Sequence, residues 1–186
     1  TGSLIKGLAG LLADRGVEIR LNSEVKRIEV LDGKAQGVTL ANGEFIPSDI
    51  VVSNADAAWT YQKLIAPEHR KVWTDVKVDK SKYSMSLFVW YFGTDNQYPD
   101  VPHHMILLGK RYKELLTDIF KKHVLADDFS LYLHRPTATD PSLAPAGGDA
   151  FYVLAPVPNL ASGTDWAKEA EPYRQSIAKY LDESVL

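Results

Sequence analysis

The sequence predicts a mixed α/β chain, α+β in its local order, and three observations carry that expectation. An apolar stripe at helical spacing opens the chain, with Leu4, Ile5, Leu8, Leu11 and Leu12 on one face. Two turn signals, Asp32-Gly33 and Asn42-Gly43, then punctuate short runs of apolar residues, the pattern of a β-meander. Farther on, bulky aromatic strands alternate with amphipathic helices, so a second layered unit is expected.

Each element follows from local chemistry. The first helix is predicted over 4–15, with Ser3 available as its cap and Gly16 placed to end it. Gly7 and Gly10 weaken that helix by roughly 1 kcal/mol each relative to Ala, a cost that a close neighbour would justify. Val17, Ile19 and Leu21 alternate as a strand, Val25, Ile28 and Val30 follow less regularly, and Val38 and Leu40 come after the first turn. Residues 49–52 (DIVV) read as a further strand leading into Ser53-Asn54, and a helix is expected over 56–65. A charged, weakly patterned stretch over 68–82 marks an exposed connection, and the domain boundary is placed at 66/67. Residues 84–92 (SMSLFVWYF) form a strand apolar on both faces and ended by Gly93, which suits a core or the wall of a cavity for something hydrophobic. Short strands are predicted at 105–108, around Leu131 and Leu133, and around Tyr152 and Leu154. Pro156 and Pro158 deny the last of these a central place beyond that point. The helix over 111–122 carries Tyr112, Leu115, Leu116, Ile119 and Phe120 on one side, and the final helix is expected to start near Pro172 with Tyr173, Ile177, Tyr180 and Leu181 buried.

Composition narrows the function classes. The 186 residues carry 21 Lys and Arg against 24 Asp and Glu, a net charge of −3 that offers no excess to hold a phosphate backbone, so no nucleic-acid partner is expected. No apolar run reaches the roughly 20 residues that cross a bilayer. With no Cys, disulfides, thiolate nucleophiles and Cys-ligated metals are excluded. Both ends look cut, so the chain is read as a piece of a longer protein.

Chemistry-bearing motifs are sparse. His103-His104 is the sole histidine pair; neighbours on a strand point to opposite faces, and His123 and His134 are distant in sequence, so a structural or surface role is expected and no metal. His134, Arg135, Asp140 and Asp149 surround one loop, but no GxSxG elbow, GxxxxGK[ST] loop or GxGxxG fingerprint accompanies them, and none is assigned a catalytic role. Asn54 lies just past the DIVV strand, where cofactors often lie in α/β sheets, although Asn54 or Ser53 could equally cap the next helix.

The blocks TGSLIKGLAGLLADRGVEIRLNSEVKRIEV, VVSNADAAWTY, SLFVWYFG, HHMILLGKRYKELLTDIF, DDFSLYLHRPTATDPSLAPAG and YVLAPVPNL, in this order and spacing, resemble the central part of the bacterial-type phytoene desaturases. These are FAD-dependent, amine-oxidase-like flavoproteins of carotenoid biosynthesis. The resemblance implies that residues 1–66 are part of an FAD-binding domain containing the meander, and that 67–186 are part of a sheet-plus-helices substrate-binding domain. It implies backbone contact of Val25 with the FAD adenine, Asn54 as a second cofactor-lining residue, and Phe88, Trp90 and Phe92 facing a polyene cavity. The implied reaction introduces double bonds into phytoene toward lycopene by hydride transfer to the flavin. Related neurosporene desaturases, 3,4-desaturases, carotene isomerases and a non-catalytic hydrophobic-ligand module are the alternatives. The glycine-rich fingerprint and the C-terminal segment that closes over the flavin are missing, so the piece is expected to be inactive alone. Peripheral attachment to the cytoplasmic side of a membrane is implied for the whole protein, with the 111–122 helix as the contact surface.

Overall fold

Both turn signals of the first half close hairpins in the computed structural model, which describes residues 2–186. Strands β1 (Val25–Leu31) and β2 (Lys34–Leu40) pair antiparallel around Asp32 and Gly33, whose φ values of 51° and 75° are those of a type I′ turn. The next turn takes β2 into β3 (Phe45–Pro47), with the Leu40 N–H donating to the Glu44 carbonyl at 2.8 Å. Gly37 is obligatory in β2: its φ is 142°, and a Cβ there would lie 2.1 Å from the Ile46 carbonyl oxygen.

Helix α1 (Gly2–Asp14) precedes this sheet and already includes Ser3, which therefore does not cap it. Its C-terminus behaves as expected: Gly16 turns left-handed at φ 73°, and the Val17 N–H reaches back to the Leu12 carbonyl at 2.9 Å. Nothing stands within 4 Å of a Cβ built at Gly7 or Gly10, so the expected close neighbour is not found among the described residues. The stripe Leu4, Ile5, Leu8, Leu11 and Leu12 is exposed throughout.

Two predicted strands are corrected. Residues 17–21 and 49–52 run as irregular backbone, because an alternating run becomes a strand only where a partner takes its N–H and C=O groups. No described strand pairs with either run: the Val17 N–H turns back to Leu12, the Leu21 and Ile50 carbonyls accept from the Ser23 and Ser48 hydroxyls, and Leu21, Ile50 and Val52 are 79%, 77% and 88% exposed. The helix after them, α2 (Ala57–Trp59), passes into a π-helical turn over Thr60–Leu64. The short α3 (Asp75–Asp79) is capped by Thr74 and lies in the charged connection. Geometry groups that connection with the first unit: the chain divides into Thr1–Lys82 and Tyr83–Leu186.

The second unit is a four-stranded antiparallel sheet with a helix on one face. Its strands are β4 (Ser86–Thr94), β5 (His104–Leu107), β6 (Leu131–His134) and β7 (Asp149–Val157), in the order β4-β7-β6-β5. Gly93 does not end β4, since it pairs with Ala150 and the ladder continues to Thr94 opposite Asp149. Pro156 is accommodated inside β7 because β6 registers only with Tyr152–Leu154, leaving the side of Pro156 away from β4 without a ladder to break.

Helix α5 (Trp166–Ser184) starts earlier than expected and takes Pro172 into its interior. Asp165 caps it, accepting from the Ala167 N–H at 3.2 Å, and Trp166 stacks on Phe88 with centroids 5.8 Å apart. This anchored first turn outweighs the bond that Pro172 cannot give. Beyond it, Tyr173, Ile177 and Leu181 are buried with Leu131, Leu133, Phe151, Val153, Ala155 and Val157, as their spacing predicts. Helix α4 (Tyr112–Thr117) continues as a π-helical turn over Asp118–Lys122, and Leu115 and Ile119 are buried. Two of the five residues of the stripe offered as a membrane surface are therefore turned into protein, while Tyr112 and Phe120 remain 44% and 49% exposed.

Candidate functional site

Strand alternation divides the sheet of the second unit into two faces of different chemistry. Phe88, Trp90 and Phe92 of β4 turn to the covered side, where they pack on the core; Phe88 meets Tyr173 edge-on at 5.2 Å, and Trp90 stacks on Phe92 at 4.3 Å. Of this set Phe88 is packed against Trp166 and Tyr173, while Trp90 and Phe92 also border a cleft of about 480 Å³ shared with Ala178, Leu181 and Leu186. The opposite set, Leu87, Val89 and Tyr91, lies on the open face at 48%, 40% and 73% exposure.

Register extends that face across all four strands as rows. Val89 pairs with Leu154, Leu154 with Tyr132, and Tyr132 with Ile106, giving one apolar row. The neighbouring row runs Tyr91, Tyr152, His134, His104. At roughly 4.8 Å per strand each row spans ~15 Å. No Asp, Glu, Lys or Arg alternates onto this face of the four strands. A cavity of about 510 Å³ opens beside the second row, walled by Tyr91, His134, Tyr152, Pro136, Leu143 and Pro145 among others. A cleft of similar size beside α5 is bordered by Asp127, Asp165 and Glu169, which suits no hydrocarbon.

The polar end of the second row is a histidine group that sequence spacing did not reveal. His103 precedes β5 and is not on the strand with His104, so the opposite-face argument does not apply to the pair. Cross-strand pairing then brings His134 to them: the His104 and His134 rings stack at 5.0 Å, and His103 Nε2 lies 2.6 Å from His134 Nε2. Thr139 Oγ1 lies 2.5 Å from His103 Nδ1, and the Tyr132 hydroxyl 2.6 Å from His104 Nδ1. Burial, then the neighbouring His103 and His104 charges, hold His134 below the ordinary histidine pKa. Burial and the bond to Tyr152 raise the Tyr132 hydroxyl above the usual tyrosine range. The signal that could have found this group was the alternation of MIL against LYLH, which sets the register opposing His104 to His134.

Arg135 and Asp149 serve structure. Asp149 is 3% exposed and accepts from Thr137 Oγ1 at 2.5 Å and the Tyr98 N–H at 2.7 Å, while its partner Arg135 donates to the carbonyls of Tyr98 and Val101. Asp140 caps a 3₁₀ turn, accepting from the Ser142 N–H at 3.1 Å.

In the first unit, Val25 opens β1, half-buried and in register with Leu40 on the outer strand of the three-stranded sheet. Asn54 is exposed in the segment before α2. It does not cap that helix; Asp56 does, accepting from the Trp59 N–H at 2.9 Å, while Ser53 bonds to the Thr60 hydroxyl at 2.8 Å.

Comparison with known proteins adds to this geometry. The family of flavin containing amine oxidoreductases matches residues 1–150. The chain is 50% identical to a phytoene desaturase (neurosporene-forming) of Rhodobacter capsulatus over 99% of its own length and 36% of that protein's. It is 45% identical to a phytoene desaturase (lycopene-forming) of Pseudescherichia vulneris, over 100% of this chain and 38% of the relative. An all-trans-zeta-carotene desaturase of Myxococcus xanthus is 37% identical over 96% of this chain and 34% of its own length. The chain thus spans little more than a third of these relatives. A solved oxidoreductase from Methanosarcina mazei shares the fold over 96% of this chain and 37% of its own, with a TM-score of 0.66 at 20% identity.

Proposed function

Because the chain belongs to the flavin containing amine oxidoreductases, we propose that it is the central part of an FAD-dependent carotenoid desaturase acting on a long polyene hydrocarbon, phytoene in the first instance. The observation that carries this reading is the open sheet face. A hydrocarbon has no polar handle, so its site must bind by shape and apolar area at ~25 cal/mol per Å². The row Val89, Leu154, Tyr132 and Ile106 offers such a surface, with no charged side chain on that face of the strands. Its partial identity to neurosporene-forming and lycopene-forming phytoene desaturases and to an all-trans-zeta-carotene desaturase supports the same substrate class.

On this reading residues 1–66 belong to the FAD-binding domain and 67–186 to the substrate-binding domain. β1 is an outer strand, so backbone groups near Val25 have one side free of a ladder among the described residues, which fits an adenine edge held through N–H and C=O. Asn54, exposed, would line the cofactor. FAD, when bound, supplies the hydride acceptor for dehydrogenation of a saturated C–C unit. The chain's own part is to hold the polyene along the apolar row and keep water from it. No described helix is long and apolar enough to cross a membrane. Since phytoene resides in bilayers, peripheral attachment at the cytoplasmic side is proposed for the whole protein.

The test is conversion of phytoene by the full-length protein in FAD-supplemented liposomes, followed by product absorbance. Val89→Asp places a charge against the hydrocarbon and should lower turnover by roughly tenfold or more while FAD content and melting temperature hold. Unchanged turnover in that variant would remove the open face from the substrate site.

A further inference from the structure

We propose that His103, His104 and His134 form a binding site for a transition-metal dication of the zinc, nickel or copper class. The proposal stands on geometry at the β5–β6 end of the sheet and is independent of the polyene reading. One ring nitrogen of each residue lies within 4.8 Å of those of the other two. Three imidazoles around a tetrahedral ion with bonds of about 2.0–2.1 Å stand roughly 3.3 Å apart. The 2.6 Å separation of His103 and His134 must open and the longest separation must close, both by small side-chain rotations.

The surroundings orient the rings in the way metal ligands are oriented. His103 and His104 each have Nδ1 against a hydroxyl, of Thr139 and Tyr132, which fixes the ring and leaves Nε2 to face the group. The backbone is fixed as well, because the Arg135 N–H donates to the His103 carbonyl at 2.9 Å and His104 registers with His134. His134 has no such hydroxyl; its Nε2 faces His103 and is the nitrogen available to an ion held between the rings, while its Nδ1, on the other side of the ring, is buried without a partner. The guanidinium of the adjacent Arg135 is committed to the Tyr98 and Val101 carbonyls and to Asp149. Three imidazoles without a carboxylate favour Zn(II), Ni(II) or Cu(II) over Mg(II) and Ca(II), whose sites are built of oxygen.

The experiment uses untagged full-length protein, stripped with chelator and titrated with Zn(II) by calorimetry and with Co(II) by visible absorption. One equivalent per chain is expected to bind, with the absorption of a nitrogen-ligated cobalt site and no displacement by Mg(II). His103→Ala and His134→Gln should each weaken Zn(II) binding by at least about tenfold, while His69→Ala and His123→Ala leave it unchanged. The wild-type titration needs no variant to fold: absence of saturable binding there overturns the proposal. Binding that persists equally in His134→Gln, or that is lost in His123→Ala, overturns it too.

Discussion

The unit ending at Lys82 and the unit beginning at Tyr83 use their apolar residues in opposite ways. In the second, Leu131, Leu133, Val153, Ala155 and Ile177 are at most 1% exposed, and one helix covers one face of one sheet. In the first, Ile28, Leu40, Leu64 and Val78 are buried, yet the whole apolar stripe of α1 and the runs 17–21 and 49–52 meet no covering element among the described residues. The same kind of periodicity was read in both halves. What differs is whether the chain also supplies the opposing surface, and periodicity reports only that a surface is wanted.

Separating the two units gives the largest expected effect. Residues 83–186 expressed alone should unfold in one cooperative thermal transition, whereas 2–82 alone should melt broadly or not at all, measured by calorimetry; a sharp transition in 2–82 would break the comparison. Within the longer chain, Ile177→Ala should cost ~2–5 kcal/mol by urea unfolding, and Leu8→Ala, which opens no cavity, within about 0.5 kcal/mol.

The two faces of β4 extend the contrast to a single strand. Phe88→Ala should destabilise by about 2–3 kcal/mol, since it removes a ring packed on Trp166 and Tyr173, whereas Tyr91→Ala should leave the melting temperature nearly unchanged. Equal losses would mean that both faces are covered.

How much of this was legible depended on whether the deciding partner was near in sequence. Asp32-Gly33 and Asn42-Gly43 carry their whole instruction in two residues, and both hairpins form where those residues stand. The stripe Tyr173, Ile177 and Leu181 was legible because a helix repeats its own geometry. The row Tyr91, Tyr152, His134 and His104 was not, because it exists only once four strands are in register, and strand order is set by tertiary contacts. Phe88 and Val89 show the same limit more finely: alternation separates the two faces, but which face is covered depends on where α5 lands. Pro172 misled because the penalty of an interior proline is local, while the anchoring of Trp166 is not.

Smaller effects sharpen the second unit. Pro172→Ala restores a missing helix bond and should raise stability by about 1–3 kcal/mol, seen as a higher melting temperature. A fall would show that the proline fits a bend the helix needs. Asp118 is 7% exposed, and the bond from Lys122, then that from Arg111, lowers its pKa below the ordinary carboxylate range. A depressed folded-state pKa stabilises above the unfolded value near 3.9 and is lost as pH falls through the lower one. Asp118→Asn should therefore lower the melting temperature at pH 7 and flatten its decline below pH 4; parallel curves for variant and wild type would remove Asp118 from the acid limb.

The position of β4 at the end of the order β4-β7-β6-β5 has a practical consequence. Along its outer edge, alternate backbone N–H and C=O groups of the run LFVWYF have no ladder partner among the described strands, and Leu87, Val89 and Tyr91 stand exposed beside them. An edge that is long, apolar and free of lysine or proline is a template for adding strands from other molecules. Solutions of residues 83–186 should consequently lose monomer with rising concentration, and light scattering would follow the loss. A single Val89→Lys should delay that self-association, because a charge on the outermost strand must be desolvated each time another chain docks against it.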